Sequence, residues 1–154
     1  MKIFIEIPSW LGDAIMATPA IQNIIKTYPD AKITLLGSYV STQAFSNYPN
    51  IKQIIVDETK KEKNRYKALI KLAKSIGKVD LAISFRRSFS SKFMMFFIKA
   101  KNKFNYKRLT KDEIHLAIRY NDFVNKVLKL NNEDRKSTRL NSSHLKLSRM
   151  PSSA

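Results

Sequence analysis

A short β-rich run, KIFIEI (2–7), stops at Pro8, crosses a five-residue loop ending at Asp13, and passes into AIMATPAIQNIIKTYP (14–29). Apolar residues at Ile15, Met16, Ala20, Ile24 and Ile25 give that segment a helical period, and Pro19 demands a kink or a late start within it. The same alternation of strand and helix then repeats along the chain. Residues 32–36 read as a strand ending at Gly37, 41–48 as a helix and 51–56 as a third strand. A helical stripe over 67–76 closes at Gly77, a fourth strand covers 81–85, and a Phe- and Met-rich helix covers 90–100. A short fifth strand is expected at 104–106. The longest helix spans 113–130, with Ile114, Ala117, Ile118, Phe123, Val124, Val127 and Leu128 on its buried face. Strands alternating with helices favour an α/β domain: a Rossmann-like parallel sheet with helices on both faces.

The chain has 154 residues and no cysteine, so disulfides, thiolate zinc sites and cysteine nucleophiles are excluded. The longest apolar run, 93–98, is far short of the roughly 20 residues of a spanning helix. Glu6 and Pro8 interrupt the first apolar stretch, so no secretory signal is read there, and a soluble cytoplasmic domain is expected. The net charge of +17 points to an anionic partner. Composition changes abruptly after Glu133: the remainder is rich in Ser, Arg and Lys, without aromatic residues or a helical or strand period. Back-translated, Asp134–His144 and Ser148–Ala154 read in compatible frames as segments of a short-read library adapter. Residues 1–133 are therefore expected to form the native domain, and 134–154 a non-native tail, a translated sequencing adapter. That tail carries Arg135, Lys136, Arg139, Lys146 and Arg149 against Asp134, so the body stays strongly basic without it.

In a parallel sheet the ligand crevice lies beyond the carboxyl ends of the strands, which nominates the loops Ser9–Asp13 and Arg86–Ser91. The glycines, Gly12, Gly37 and Gly77, fit neither G-x-G-x-x-G nor a Walker A pattern. Paired carboxylates in a glycosidase-like motif and His clusters for metal are also missing, so neither a metal nor a cofactor is expected. His115 reads as structural. Asp13 has two compatible readings, a helix N-cap and a general base at the sheet mouth. Gly12 permits close backbone approach to a ligand, and Trp10 could belong to the core or stack on a sugar. Lys60, Lys61, Lys63, Arg65 and Lys67 form a basic cluster, either a solvated surface or an anion contact. Arg86 and Arg87 open into the expected crevice.

The segment KIFIEIPSWLGDAIMATPAIQNI (2–24) resembles the amino terminus of the lipopolysaccharide heptosyltransferases, glycosyltransferase family 9. DLAISFRRSFSS (80–91) resembles that family's strand, polar loop and S-x-x-S. AKNKFNY (100–106) resembles A-x-x-R-x-G-[YFW], and HLAIRY (115–120) resembles H-x-x-x-R-Y. The ordered set covers residues 1–130, and PSWLGD (8–13) is closer to type II than to type I. Asn105 stands where the family has Gly, and Lys103 where it has Arg.

The resemblance implies the amino-terminal, acceptor-binding half of a GT-B fold, with the donor-binding domain missing and the fragment inactive alone. It implies inverting transfer of L-glycero-D-manno-heptose from ADP-heptose to the inner core of lipopolysaccharide, with Asp13 as base. Ser9, Trp10, Leu11, Gly12, Arg86, Arg87, Ser88, Lys60 and Lys61 would contact the phosphorylated lipid A–core acceptor. The implied location is cytoplasmic, peripheral at the inner face of the inner membrane. Two alternatives are another family 9 sugar transferase and a basic nucleic-acid-binding module; the latter has no recognised motif here.

Overall fold

Ile3, Ile5 and Ile7 point into one hydrophobic cluster while Phe4 points into another, so the first strand is covered on both faces. The structure, a computed structural model, describes residues 1–107 and 115–142, with side chains as far as Glu133. Five parallel strands form one sheet: β1 (Lys2–Glu6), β2 (Lys32–Gly37), β3 (Ile51–Val56), β4 (Lys78–Ser84) and β5 (Lys99–Asn105), in the order β3-β2-β1-β4-β5. The helices are α1 (Leu11–Met16), α2 (Thr18–Thr27), α3 (Tyr39–Thr42), α4 (Arg65–Ile76), α5 (Phe89–Phe97) and α6 (Leu116–Ser142). Ile21 and Ile24 of α2 and Phe123, Val124 and Val127 of α6 cover one face of the sheet. Leu69 and Ala73 of α4 and Met94 and Met95 of α5 cover the other. The expected Rossmann-like architecture is the observed one.

Pro19 divides its segment as its chemistry requires. Lacking an N–H, it sits in the first turn of α2, and Ala17 separates α1 from α2. Other boundaries moved. The helix expected at 41–48 is α3 followed by a 3-10 turn over Gln43–Phe45. α4 starts at Arg65 because Asn64 caps it, accepting from the Lys67 N–H at 3.2 Å. α5 ends at Phe97, and the chain turns at extended Ile98 into a strand longer than expected. β5 is an edge strand whose exposed Lys99, Lys101 and Lys103 mask the apolar alternation.

The expected start of the last helix at Glu113 lies outside the described residues. His115 stands just before α6, its Nδ1 accepting from the Ala117 N–H at 3.3 Å. The α6 backbone runs through Asp134 to Ser142, beyond the expected end at Leu130; no Gly or Pro interrupts that stretch. The tail expected at residues 134–154, and the expectation that it packs on nothing, lie outside the described side chains.

Candidate active site

The order of the sheet reverses at β1, which pairs with β2 on one side and β4 on the other. The loops leaving β1 and β4 therefore part at their carboxyl ends and open a crevice between them. A cleft of about 480 Å³ occupies it. From the β1 loop come Pro8, Ser9, Trp10 and, on α1, Asp13; from the β4 loop come Phe85, Arg86, Arg87, Ser88 and Ser90. Lys60 and Arg65 close one side, and Arg119 and Tyr120 of α6 the other. Tyr106 lines it as well, and Phe85 and Tyr106 each meet Tyr120 and the core residue Phe123 edge to face, with centroids 5.0–5.8 Å apart.

Local chemistry holds both loops. The Ser38 hydroxyl donates to the Ser9 carbonyl at 2.6 Å, and the Ile7 N–H donates to the Leu36 carbonyl at 2.9 Å. Ser88 caps α5, its hydroxyl accepting from the Ser91 N–H at 3.3 Å. The cap of α1 is not Asp13. Trp10 occupies that position in extended conformation, and Asp13 is already inside the first turn. The capping alternative is thereby corrected: the helix starts three residues earlier than an Asp13 cap requires. The half-buried Asp13 carboxylate has neither a hydrogen bond nor an ion pair among the described residues.

Arg86 is more committed than its loop position suggested. Its Nε donates to the Ile7 carbonyl at 3.1 Å, and Nη1 lies 3.4 Å from Asp57 and 3.6 Å from Glu6. Burial pushes the Glu6 carboxyl above its ordinary value, partly offset by Arg86 and by hydrogen bonds from Ser84 and Ser91. Burial works the same way on Asp57, yet two hydrogen bonds from Thr59 and the Arg86 charge outweigh it and hold that carboxyl low. The Tyr120 phenol is pushed up, by burial first and then by the negative charge of Asp13.

Of the residues nominated from sequence, Ser9, Trp10, Asp13, Lys60, Arg86, Arg87 and Ser88 come together in the cleft. Leu11, Gly12 and Lys61 do not line it. Leu11 and Gly12 are exposed on α1, and Lys61 pairs with Glu58 at 3.7 Å on the outer surface. Arg119 and Tyr120 were not nominated, and Arg65 and Ser90 entered only as members of the basic cluster and of the Arg86–Ser91 loop. Arg65 lay in the basic cluster and Arg119 in the R-Y of HLAIRY, but only the fold turns them inward. Arg65 Nη2 donates to Ser90 at 3.2 Å, while its buried Nε has no hydrogen-bond partner among the described residues. Among the described residues no group of three or more His, Asp or Glu side chains could hold a metal ion.

The "Lipooligosaccharide heptosyltransferase 2" of Campylobacter jejuni subsp. jejuni serotype O:2 is 39% identical over 130 residues, which cover 84% of this chain and 40% of that protein. The chain is a homologue of the lipooligosaccharide heptosyltransferases. It spans about two fifths of the length of the curated relatives it matches. No family model matches. Two solved structures share the fold. The glycosyl transferase family 9 protein of Veillonella parvula DSM 2008 superposes with a TM-score of 0.71 at 24% identity, over 81% of this chain and 41% of its own. E. coli ADP-heptose lps heptosyltransferase II gives 0.63 at 22% identity, over 80% and 40%. The parallel-sheet fold is thus shared with these proteins, and the sequence resemblance led to the same group.

Proposed function

We propose that this chain is the acceptor-binding portion of a heptosyltransferase, closest to type II, that transfers heptose from ADP-heptose to the inner core of lipopolysaccharide. One observation carries the reading: Asp13 is a half-buried carboxylate with no hydrogen bond or ion pair among the described residues, in a cleft whose other charged lining residues are all cations. A base must reach its proton without being tied to another group, and Asp13 is placed for that. It removes the proton from an acceptor hydroxyl. The oxygen then attacks the anomeric carbon, and ADP departs from the opposite face with its bonding electrons, so the configuration inverts. The transition state has oxocarbenium character.

Lys60, Arg65, Arg87 and Arg119 bring positive charge to a phosphorylated acceptor, and Trp10, 77% exposed, offers a ring for a sugar. The donor side is assigned to the part of the relatives' length that this chain does not span. The work site is the cytoplasmic face of the inner membrane, held peripherally; among the described residues no helix is long and apolar enough to cross a membrane.

The test is transfer by the full-length enzyme from ADP-heptose, and from other sugar nucleotides, to a heptose-deficient lipid A–core acceptor. Heptose-selective transfer supports the proposal. Selective use of a different sugar would move the chain to another transferase specificity on the same fold.

A further inference from the structure

Beside the cleft, α4 and α5 carry a second surface that the catalytic reading leaves unused. Phe89 and Phe96 are 69% and 76% exposed, and Tyr66 is 49% exposed. Seven residues are nearly two helical turns, so the two phenylalanines share a stripe of α5, about 10 Å apart along its axis. Lys92 and Phe93 lie on the same stripe. Tyr66 meets Phe89 at 6.4 Å and Phe93 at 4.9 Å between ring centroids. Phe97 continues the chain of rings, 5.1 Å from Phe93 and 5.3 Å from Phe96. Single exposed apolar residues are ordinary, whereas a connected row of rings marks an interaction surface.

The two helices that carry this row bear charge of one sign. Neither α4 (RYKALIKLAKSI) nor α5 (FSSKFMMFF) contains an acidic residue. Lys67, Lys71, Lys74 and Lys92 are exposed, and Lys103 of the edge strand donates its Nζ to the Phe96 carbonyl at 3.1 Å. A second copy seated here would oppose lysine with lysine, since a two-fold contact repeats the same patch. An RNA strand would need a groove to track its backbone, and this row lies on the outer surface of a helix. Rings that enter the headgroup region, flanked by ammonium groups facing phosphates, fit an anionic bilayer.

We propose that the outer face of α4 and α5 docks on an anionic lipid bilayer. Phe89 and Phe96 enter the interface, while Lys92 and Lys103 meet lipid phosphates. The row begins beside the cleft, since Tyr66 follows Arg65 and Phe89 follows Ser88, so a bilayer seated on it lies at the cleft mouth. This deepens the reading of a lipid-linked acceptor. The experiment scores binding and not turnover, so the two can fail separately.

The complete chain is sedimented with phosphatidylcholine vesicles made with and without phosphatidylglycerol. Binding is expected only to the anionic vesicles. Phe89→Ser with Phe96→Ser should lower the partition coefficient about tenfold, and Lys92→Glu about fivefold or more. Lys26→Glu with Lys126→Glu, on the opposite face, should change it by less than about twofold. Circular dichroism melts check folding, and if the double serine variant fails to fold, Lys92→Glu, a single exposed substitution, carries the test. Equal losses from both faces would overturn the proposal by showing attraction to net charge alone. Absence of wild-type binding would also overturn it, as would self-association or oligonucleotide binding through the row without vesicle binding.

Discussion

Arg86 places its guanidinium 3.6 Å from the Glu6 carboxylate beneath the cleft, with the two side chains only 11% and 2% exposed. The pair joins the ends of β1 and β4, and Asp57, just after β3, reaches the same guanidinium from across the sheet. Ser84 ties it further, donating to Glu6 at 2.5 Å and accepting from the Arg86 N–H at 3.2 Å. An arginine held in this way fixes the floor of the site. Its first effect is on folding, and any effect on acceptor binding comes through that floor.

Arg86 and Arg87 should therefore behave differently although they are adjacent. Arg86→Ala leaves two buried carboxylates without their cation and should cost about 3–5 kcal/mol in a denaturant titration. Arg87→Ala removes an exposed cation and should change stability by less than about 0.5 kcal/mol. In the full-length enzyme Arg87→Ala should weaken acceptor binding, with the loss shrinking as salt is raised. Equal stability for both variants would remove the structural role given to Arg86.

The two carboxylates predict opposite pH slopes. The folded value of Glu6 is raised, so its contribution is fully present below the ordinary value of 4.5 and is lost as pH rises through the folded value. Glu6→Gln should therefore gain on wild type in melting temperature between about pH 4 and pH 8. The folded value of Asp57 is lowered, so its contribution is present above the ordinary value of 3.8 and is lost as pH falls. Asp57→Asn should be less stable than wild type at neutral pH and converge with it in acid. Melting curves of the three proteins across pH decide both signs.

Gly37 and Gly12 offer a contrast in packing. A Cβ on Gly37 would lie 2.5 Å from Ile7 Cγ1 and 2.8 Å from both Ile7 Cδ1 and Ser41 Oγ, all in buried residues. Gly37→Ala should destabilise by about 1–3 kcal/mol through overpacking beneath the β1 loop. Gly12 is exposed on α1, and nothing lies within 4 Å of its added Cβ. Gly12→Ala should stabilise by up to about 1 kcal/mol. Acceptor KM provides the second measurement: if the acceptor approaches the Gly12 backbone, KM should rise although stability does not fall.

The sheet was readable because β1, β2 and β4 are buried on both faces and so are rich in apolar residues, with only Thr34 in β2 and Asp80 in β4 interrupting them between their ends. β5 was shortened because an edge strand alternates lysine with partly buried residues, a pattern close to that of a surface loop. The two loops of the cleft followed from their place beyond the carboxyl ends of the first and fourth strands of a parallel sheet. Which cations turn into the cleft did not, because Lys60 and Lys61 are adjacent and only the 3-10 turn Thr59–Lys61 sends them apart. Glu6 was hidden inside a strand, where its alternation marked it only as facing away from Ile5 and Ile7. Its role needs Arg86, distant in sequence, and only the β1–β4 pairing brings the two together.

Asp13 is the residue on which the proposed chemistry stands, and its geometry separates catalysis from capping. Trp10 is the cap of α1, so Asp13→Asn does not exchange one cap for another. The substitution removes a charge from the first turn of a short helix, worth less than about 1 kcal/mol, and breaks no hydrogen bond among the described residues. The melting temperature should change little. In the full-length enzyme the amide cannot accept the acceptor proton, so turnover should fall by about 100-fold or more while both substrates still bind. Asp13→Glu restores a carboxylate displaced by one methylene and should recover part of the rate. Heptose transfer, acceptor and ADP-heptose affinities and melting curves for the two variants make the test. Near-normal turnover by a stably folded Asp13→Asn enzyme would mean that the proton leaves by another route, and the base would have to be sought elsewhere in the cleft.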